Sequence, residues 1–143
     1  MSISSTELIK KWEGFKEVAY VCPAGVTTIG YGSTAWEDGS PIKREQKITK
    51  DKAEGLLNDY LIRYVRPKLA DLNLNPSQQA AIESLCYNIG VNSFLRSKCY
   101  KALKARDWGT FIREYDWIKA GGKVLTGLIK RRTEELYLFF KDM

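Results

Sequence analysis

At Gly14 the chain changes period. Up to that point SSTELIKKW spaces Leu8, Ile9 and Trp12 for the inward face of a short helix, with Ser4 or Ser5 as N-cap and Glu13 on the last turn. Beyond it the apolar residues come in short runs, VAYV and TTIGYG, parted by Cys22-Pro23-Ala24-Gly25, the pattern of a small antiparallel hairpin. A helix and a hairpin joined at one glycine constrain the fold class to α+β, and the helical patterns downstream make it mostly α. The same junction gathers reactive groups. Glu13 lies at the negative end of its helix dipole and beside Trp12, surroundings that favour the neutral form of a carboxyl and suit a general acid. The hairpin is expected to bring Cys22 and Thr28 back toward it, while Gly30 and Gly32 let another surface approach the backbone closely. Each group also has a plain structural reading, Glu13 as a solvated helix-end carboxylate and Cys22 as a small buried hydrophobe.

The 143 residues contain no histidine, which excludes Ser-His-Asp and Cys-His catalytic sites and any zinc site needing imidazole. Carboxylate acid/base chemistry is the simplest option left. Cys22, Cys86 and Cys99 are odd in number and widely separated, which argues against a disulfide framework and fits a reducing compartment; they also lack metal-ligand spacing. A hydrophobic content of 44% supports a real core in one compact unit. The first residues form no long apolar run, so neither a cleavable signal nor a membrane anchor is expected. The formal charge of +6 predicts attraction to a polyanion: nucleic acid, an anionic membrane or bacterial wall. Nucleic acid ranks lower, because the basic residues are dispersed and no nucleic-acid-binding motif occurs.

WEDGSPIKREQK, residues 36–47, is a polar loop broken by Gly39 and Pro41. Thr49 then caps a long helix whose Ala53, Leu56, Leu57, Tyr60, Leu61, Tyr64 and Val65 share an apolar stripe, and Pro67 is expected to kink or end it. Asn75-Pro76-Ser77-Gln78 is a strong helix start, and Ile82, Leu85, Cys86 and Ile89 follow on one face before the stop at Gly90. Two further helices are expected over 94–105 and 108–120, the second begun by Asp107, with Cys99 and Trp117 packed inside. Gly121-Gly122 turns the chain into a last helix with Leu128, Ile129, Leu136, Phe139 and Phe140 as its stripe. No internal repeat or low-complexity tract interrupts this order.

Glu13-Gly14, Ala19-Tyr20 and Thr28-Ile29-Gly30-Tyr31-Gly32, then Tyr87-Asn88-Ile89-Gly90, then AGGKVLTGLIKRR give the chain a resemblance to the phage-type lysozymes, glycoside hydrolase family 24. That family follows a glutamate by an aspartate nine positions on and a threonine six further; Glu13 and Thr28 keep the spacing, and Cys22 stands in the aspartate's place, a variant the family contains. Ser33 stands where a histidine is usual. The resemblance implies one lysozyme-like domain over 1–143: a small β lobe over 14–48, a connecting helix over 49–70, and a helical lobe over 71–143 that includes the N-terminal helix. It implies Glu13, Cys22 and Thr28 as catalytic residues, and Gly32, Tyr87, Asn88, Gly127, Arg131 and Arg132 as substrate-binding, with one arginine pairing with Glu13. Which arginine does so is not set by the sequence. The implied activity is that of a muramidase or endolysin cleaving the β-1,4 bond between N-acetylmuramic acid and N-acetylglucosamine in peptidoglycan, without metal or organic cofactor. A monomer made in the host bacterial cytoplasm would reach the wall with the help of a holin-like membrane protein. An inactive wall-binding homologue and a lytic transglycosylase stand as alternatives.

Overall fold

The computed structural model describes residues 3–143. Helix α1, Ser5–Glu13, is capped by Ser4, whose hydroxyl accepts the Glu7 N–H, and it stops at Gly14, whose φ of 70° lies in a region glycine adopts without strain. Strands β1 (Lys16–Val21) and β2 (Thr27–Gly30) pair antiparallel, with an irregularity between Lys16 and Tyr20. The free edge of β1 is covered by the loop that follows: the Ala19 N–H donates to Gln46 O and the Ile48 N–H to Glu17 O. Gly30 packs against the next helix where a Cβ would lie 2.9 Å from Ala53 Cβ, which fixes hairpin to helix and excludes larger residues.

That next helix, α2 (Lys50–Tyr60), is capped by the Thr49 hydroxyl. It does not end ahead of Pro67. A π turn over Leu61–Val65 widens the spiral, the Arg66 N–H bonds back five residues to Leu61 O, and α3 (Arg66–Leu69) follows with the proline in its first turn, the position where proline is tolerated. The expected apolar stripe is also divided. Leu57, Leu61 and Val65 are buried, whereas Tyr60 and Tyr64 are 36% and 49% exposed and face a cleft.

Helix α4 (Pro76–Ile89) opens with both halves of a capping box between Asn75 and Gln78 and runs through the middle of the core. Helix α1 packs on it, and so does the last helix, α8 (Thr126–Lys141). Glu83 on α4 is fully buried and ties this helix to α3 through Arg66 Nε at 3.0 Å, with Gln79 as a second partner.

Two helices expected as single pieces are shorter. The segment 94–105 is broken at Arg96 and Ser97: α5 covers Val91–Leu95, and α6 covers Lys98–Ala105 with Ser97 as a fresh N-cap. After Asp107, α7 spans only Trp108–Arg113, and Lys119–Ala120 and Lys123–Val124 form a second hairpin, β3 and β4, with Gly121 and Gly122 at φ 58° and 78° in its turn. Phe111, Phe139 and Phe140 stack with Trp108 where α7 meets α8, and Trp117 packs against Tyr115 and Phe94. Cys86 and Cys99 are core residues; burial pushes the thiol of Cys99 up to about 12 and that of Cys86 further still. Helix α8 departs from its expected stripe: Ile129 is exposed, and the buried face holds Arg131, Arg132 and Glu135 beside Leu138 and Phe139.

Candidate active site

Charged side chains this deep need a reason, and Glu13 supplies it. Arg131 Nη1 donates to Glu13 Oε2 at 2.7 Å, so of the two arginines it is Arg131 that pairs with the helix-end carboxylate. The rest of its guanidinium is held from behind: Nη2 donates to Ser84 O at 3.1 Å, and Nε lies 3.3 Å from Glu135 Oε2. Glu135 is fully buried and is shared: Ser84 donates to it at 2.6 Å, Tyr115 at 3.0 Å, and Arg132 Nε pairs with it at 3.0 Å. Burial raises the Glu135 carboxyl, while Arg132, Ser84, Arg131 and Tyr115 all pull the other way. Arg132 in turn donates from Nη2 to Asn88 Oδ1 at 2.8 Å. One buried carboxylate on α8 therefore anchors two arginines, and those fix two groups of a single cleft wall, Glu13 and Asn88.

The cleft has a volume of about 560 Å³. Glu13, Gly32, Tyr87 and Asn88 line it, together with Trp36 from the 36–47 loop and Tyr60 and Tyr64 from the connecting helix. Gly32 lies against the acid: at φ 85°, a Cβ there would be 2.8 Å from Glu13 Oε1 and 3.7 Å from the Tyr87 ring. Tyr87 is fixed by donating to Tyr31 O at 2.6 Å, and burial raises its phenol far above the usual range. Trp36 is both packed and on the wall, its Nε1–H donating to Gln46 at 3.1 Å.

The remaining residues singled out in the sequence lie elsewhere. Arg131 and Arg132 are 4% and 2% exposed and reach the wall only through Glu13 and Asn88. Gly127 is an exposed first-turn residue of α8 and is not on the cleft wall. Cys22 and Thr28 meet each other in the turn of the first hairpin, off that wall. The Cys22 thiol is held below its ordinary value by the Val26 and Ala24 backbone and then by the Thr28 hydroxyl, and Thr28 itself donates to Val26 O at 3.0 Å. Tyr20 stands within the fields of both Glu13 and Cys22, which, after burial, raise its phenol. Tyr60, Tyr64 and Glu135 were absent from the set expected in the sequence, and Trp36, read there first as a packed residue with cleft contact as the second reading, is both. No local signal marked Glu135, which by residue type looks like part of a solvated face of α8; for Tyr60 and Tyr64 periodicity pointed inward.

A family model described as "Phage lysozyme" matches residues 10–135. The endolysin of Bacillus phage B103 is 36% identical over 144 residues, covering 97% of this chain and 53% of its own, so the chain spans about half the length of that relative. The endolysin of Salmonella phage P22 is 32% identical over 97% of this chain and 98% of its own, and a P22 lysozyme crystal structure superposes with a TM-score of 0.76. An endolysin structure from the Escherichia coli O157:H7 phage FAHEc1 gives a TM-score of 0.79 at 27% identity, covering 100% of this chain and 96% of that one. Across its first helix, its hairpin, its cleft and its arginine-bearing last helix, the chain belongs to the phage lysozyme family.

Proposed function

We propose that the chain is a peptidoglycan hydrolase that cleaves the β-1,4 bond between N-acetylmuramic acid and N-acetylglucosamine, with Glu13 as general acid. The observation that carries this reading is a carboxylate on the cleft wall tied to a buried arginine of the core: Glu13, with Oε2 occupied by Arg131 and Oε1 over Gly32. With one oxygen fixed, the other is the atom that protonates the leaving glycosidic oxygen. Asn88, oriented by Arg132, is placed to hydrogen-bond an N-acetyl group of the sugar. Cys22 and Thr28 lie off the cleft wall described above, but Tyr20 stands within the fields of both Cys22 and Glu13, and in this reading the hairpin turn positions the attacking water from that side. A thiol has an ordinary pKa of about 8.5, and the backbone groups around Cys22 enlarge its thiolate fraction at neutral pH. One chain supplies every group, so a monomer is the working unit.

Mass spectrometry of fragments released from purified peptidoglycan, with Glu13→Gln run alongside, tests the assignment. Fragments with intact reducing ends, reduced about 10² to 10⁴-fold by Glu13→Gln, are expected of a hydrolase using this acid. Fragments lighter by one water make it a transglycosylase, and none at all from a folded, wall-bound protein makes it a binder. Full activity of Cys22→Ser would remove the thiolate from the mechanism.

Among the described residues no helix is long and apolar enough to cross a membrane. As the family resemblance implies, we propose that access from the host cytoplasm to the wall depends on a separate holin-like membrane protein. Expressed alone, the chain should leave a host culture turbid, and coexpression with a pore-forming protein should clear it; clearing without that protein would refute the dependence.

A further inference from the structure

Two rows of side chains run along the connecting helix at intervals of four. Leu57, Leu61, Val65 and Leu69 are at most 1% exposed. One position earlier, Leu56, Tyr60, Tyr64 and Lys68 all stand on the wall of the cleft that holds Glu13. In an α-helix a four-residue step overshoots one turn by about 40°, so such rows drift off their face within three steps. The π turn over Leu61–Val65 reverses the drift, because its wider spiral needs more than four residues to come round. The core row would be served equally by ordinary α spacing with different residues. What the widened turn adds is a second row that keeps two tyrosines on one wall.

Those rings are not consumed by packing. Tyr60 and Tyr64 are 36% and 49% exposed, with centroids 5.3 Å apart, and Tyr60 meets Tyr87 edge-on at 5.6 Å. The row ends in a polar pair, Lys68 Nζ donating to Asn92 Oδ1 at 2.8 Å, and both residues line the same cleft. A rigid aromatic edge beside amide and ammonium groups matches a pyranose, which offers a face of C–H groups to rings and a rim of hydroxyls and acetamido oxygen to donors.

We propose that Tyr60 and Tyr64 form a sugar-stacking subsite, built by the π turn, that takes one N-acetylhexosamine ring of the glycan strand away from the bond being cut, with Lys68 and Asn92 bonding its polar rim. This rests on the reading of the chain as a peptidoglycan hydrolase. Contacts remote from the reacting bond act chiefly on KM.

The test is steady-state cleavage of peptide-free glycan strands by the wild type, Tyr64→Ala, Tyr64→Phe and Tyr60→Ala/Tyr64→Ala, with thermal melts as the fold control. Loss of one stacking face is expected to raise KM about 3 to 10-fold in Tyr64→Ala, and more in the double variant, with most of the binding recovered in Tyr64→Phe. A double variant that melts like the wild type with an unmoved KM overturns the subsite. Titration of Glu13→Gln with an N-acetylglucosamine hexamer, with and without the tyrosine changes, separates the two readings. Tyrosine-dependent binding by a chain whose wild type cleaves nothing would keep the subsite and sink the hydrolase; normal cleavage with tyrosine-independent KM and binding would do the reverse.

Discussion

Gly32 shows how little room surrounds the acid. Its positive φ and the 2.8 Å from a would-be Cβ to Glu13 Oε1 make Gly32→Ala both strained and obstructive. We expect the variant to lose about 1 to 3 kcal/mol of stability in denaturant titrations and activity well beyond that loss, since the displaced atom is the Glu13 oxygen that Arg131 leaves free in the proposed mechanism. Cys22 gives a second residue-scale expectation with a defined sign. Its thiol is depressed by groups that stabilise the thiolate, so the rate of alkylation should rise with pH around a midpoint below that of the unfolded chain, and Thr28→Val should move that midpoint upward. Cys86 and Cys99, buried and raised, should stay unlabelled in the native protein. Labelling followed by peptide mapping reads all three at once. Glu13, Gly14 and Thr28 were legible in the sequence because their signals are local: a helix end, a stop and a strand run. The choice between Arg131 and Arg132 was not, since adjacent residues on a helix point about 100° apart and only the docking of α8 decides which one meets Glu13.

At the scale of elements, what the sequence displayed well was what one turn of chain settles alone. The capping box of α4 is such a case, and Asn75→Ala should cost about 1 kcal/mol and lower the melting temperature by a few degrees. Helix α8 is the opposite case. Its Arg131, Arg132 and Glu135 look like a solvated face by residue type, yet they are buried because they satisfy one another and Ser84, Tyr115 and Asn88 across the core. Removing the shared anion leaves two buried guanidiniums short of counter-charge, so Glu135→Gln should destabilise the fold by about 3 to 5 kcal/mol by chemical denaturation. The second hairpin was missed because Lys119–Ala120 and Lys123–Val124 are too short to show a period, and the π turn because a row at intervals of four looks helical until the drift over several turns is counted.

For the molecule as a whole, the mostly helical α+β class with a small hairpin was legible, since the change of period at Gly14 and the long helix after Thr49 set a short β segment beside a helical body. The net charge of +6 acts at this scale too. If it draws the protein to an anionic wall, clearing of bacterial wall suspensions should slow as salt rises from about 0.05 to 0.5 M, where the screening length shrinks to a few ångströms; cleavage of short soluble glycan fragments, which carry few charges each, should respond far less. A rate on whole wall that ignores salt would assign the charge no part in finding the substrate.

Arg131 and Glu13 are separated by 118 residues, and Trp12 likewise bonds to Glu134, 122 residues on. The carboxylate is therefore synthesised long before its partner. A chain lacking α8 keeps the residues of the hairpin, the connecting helix and Glu13 but lacks the arginine that fixes the carboxylate, and on the proposed reading closing this long loop readies the site. On that reading, a chain cut short before Arg131 should cleave no wall, because its Glu13 carboxylate has lost the partner that holds it.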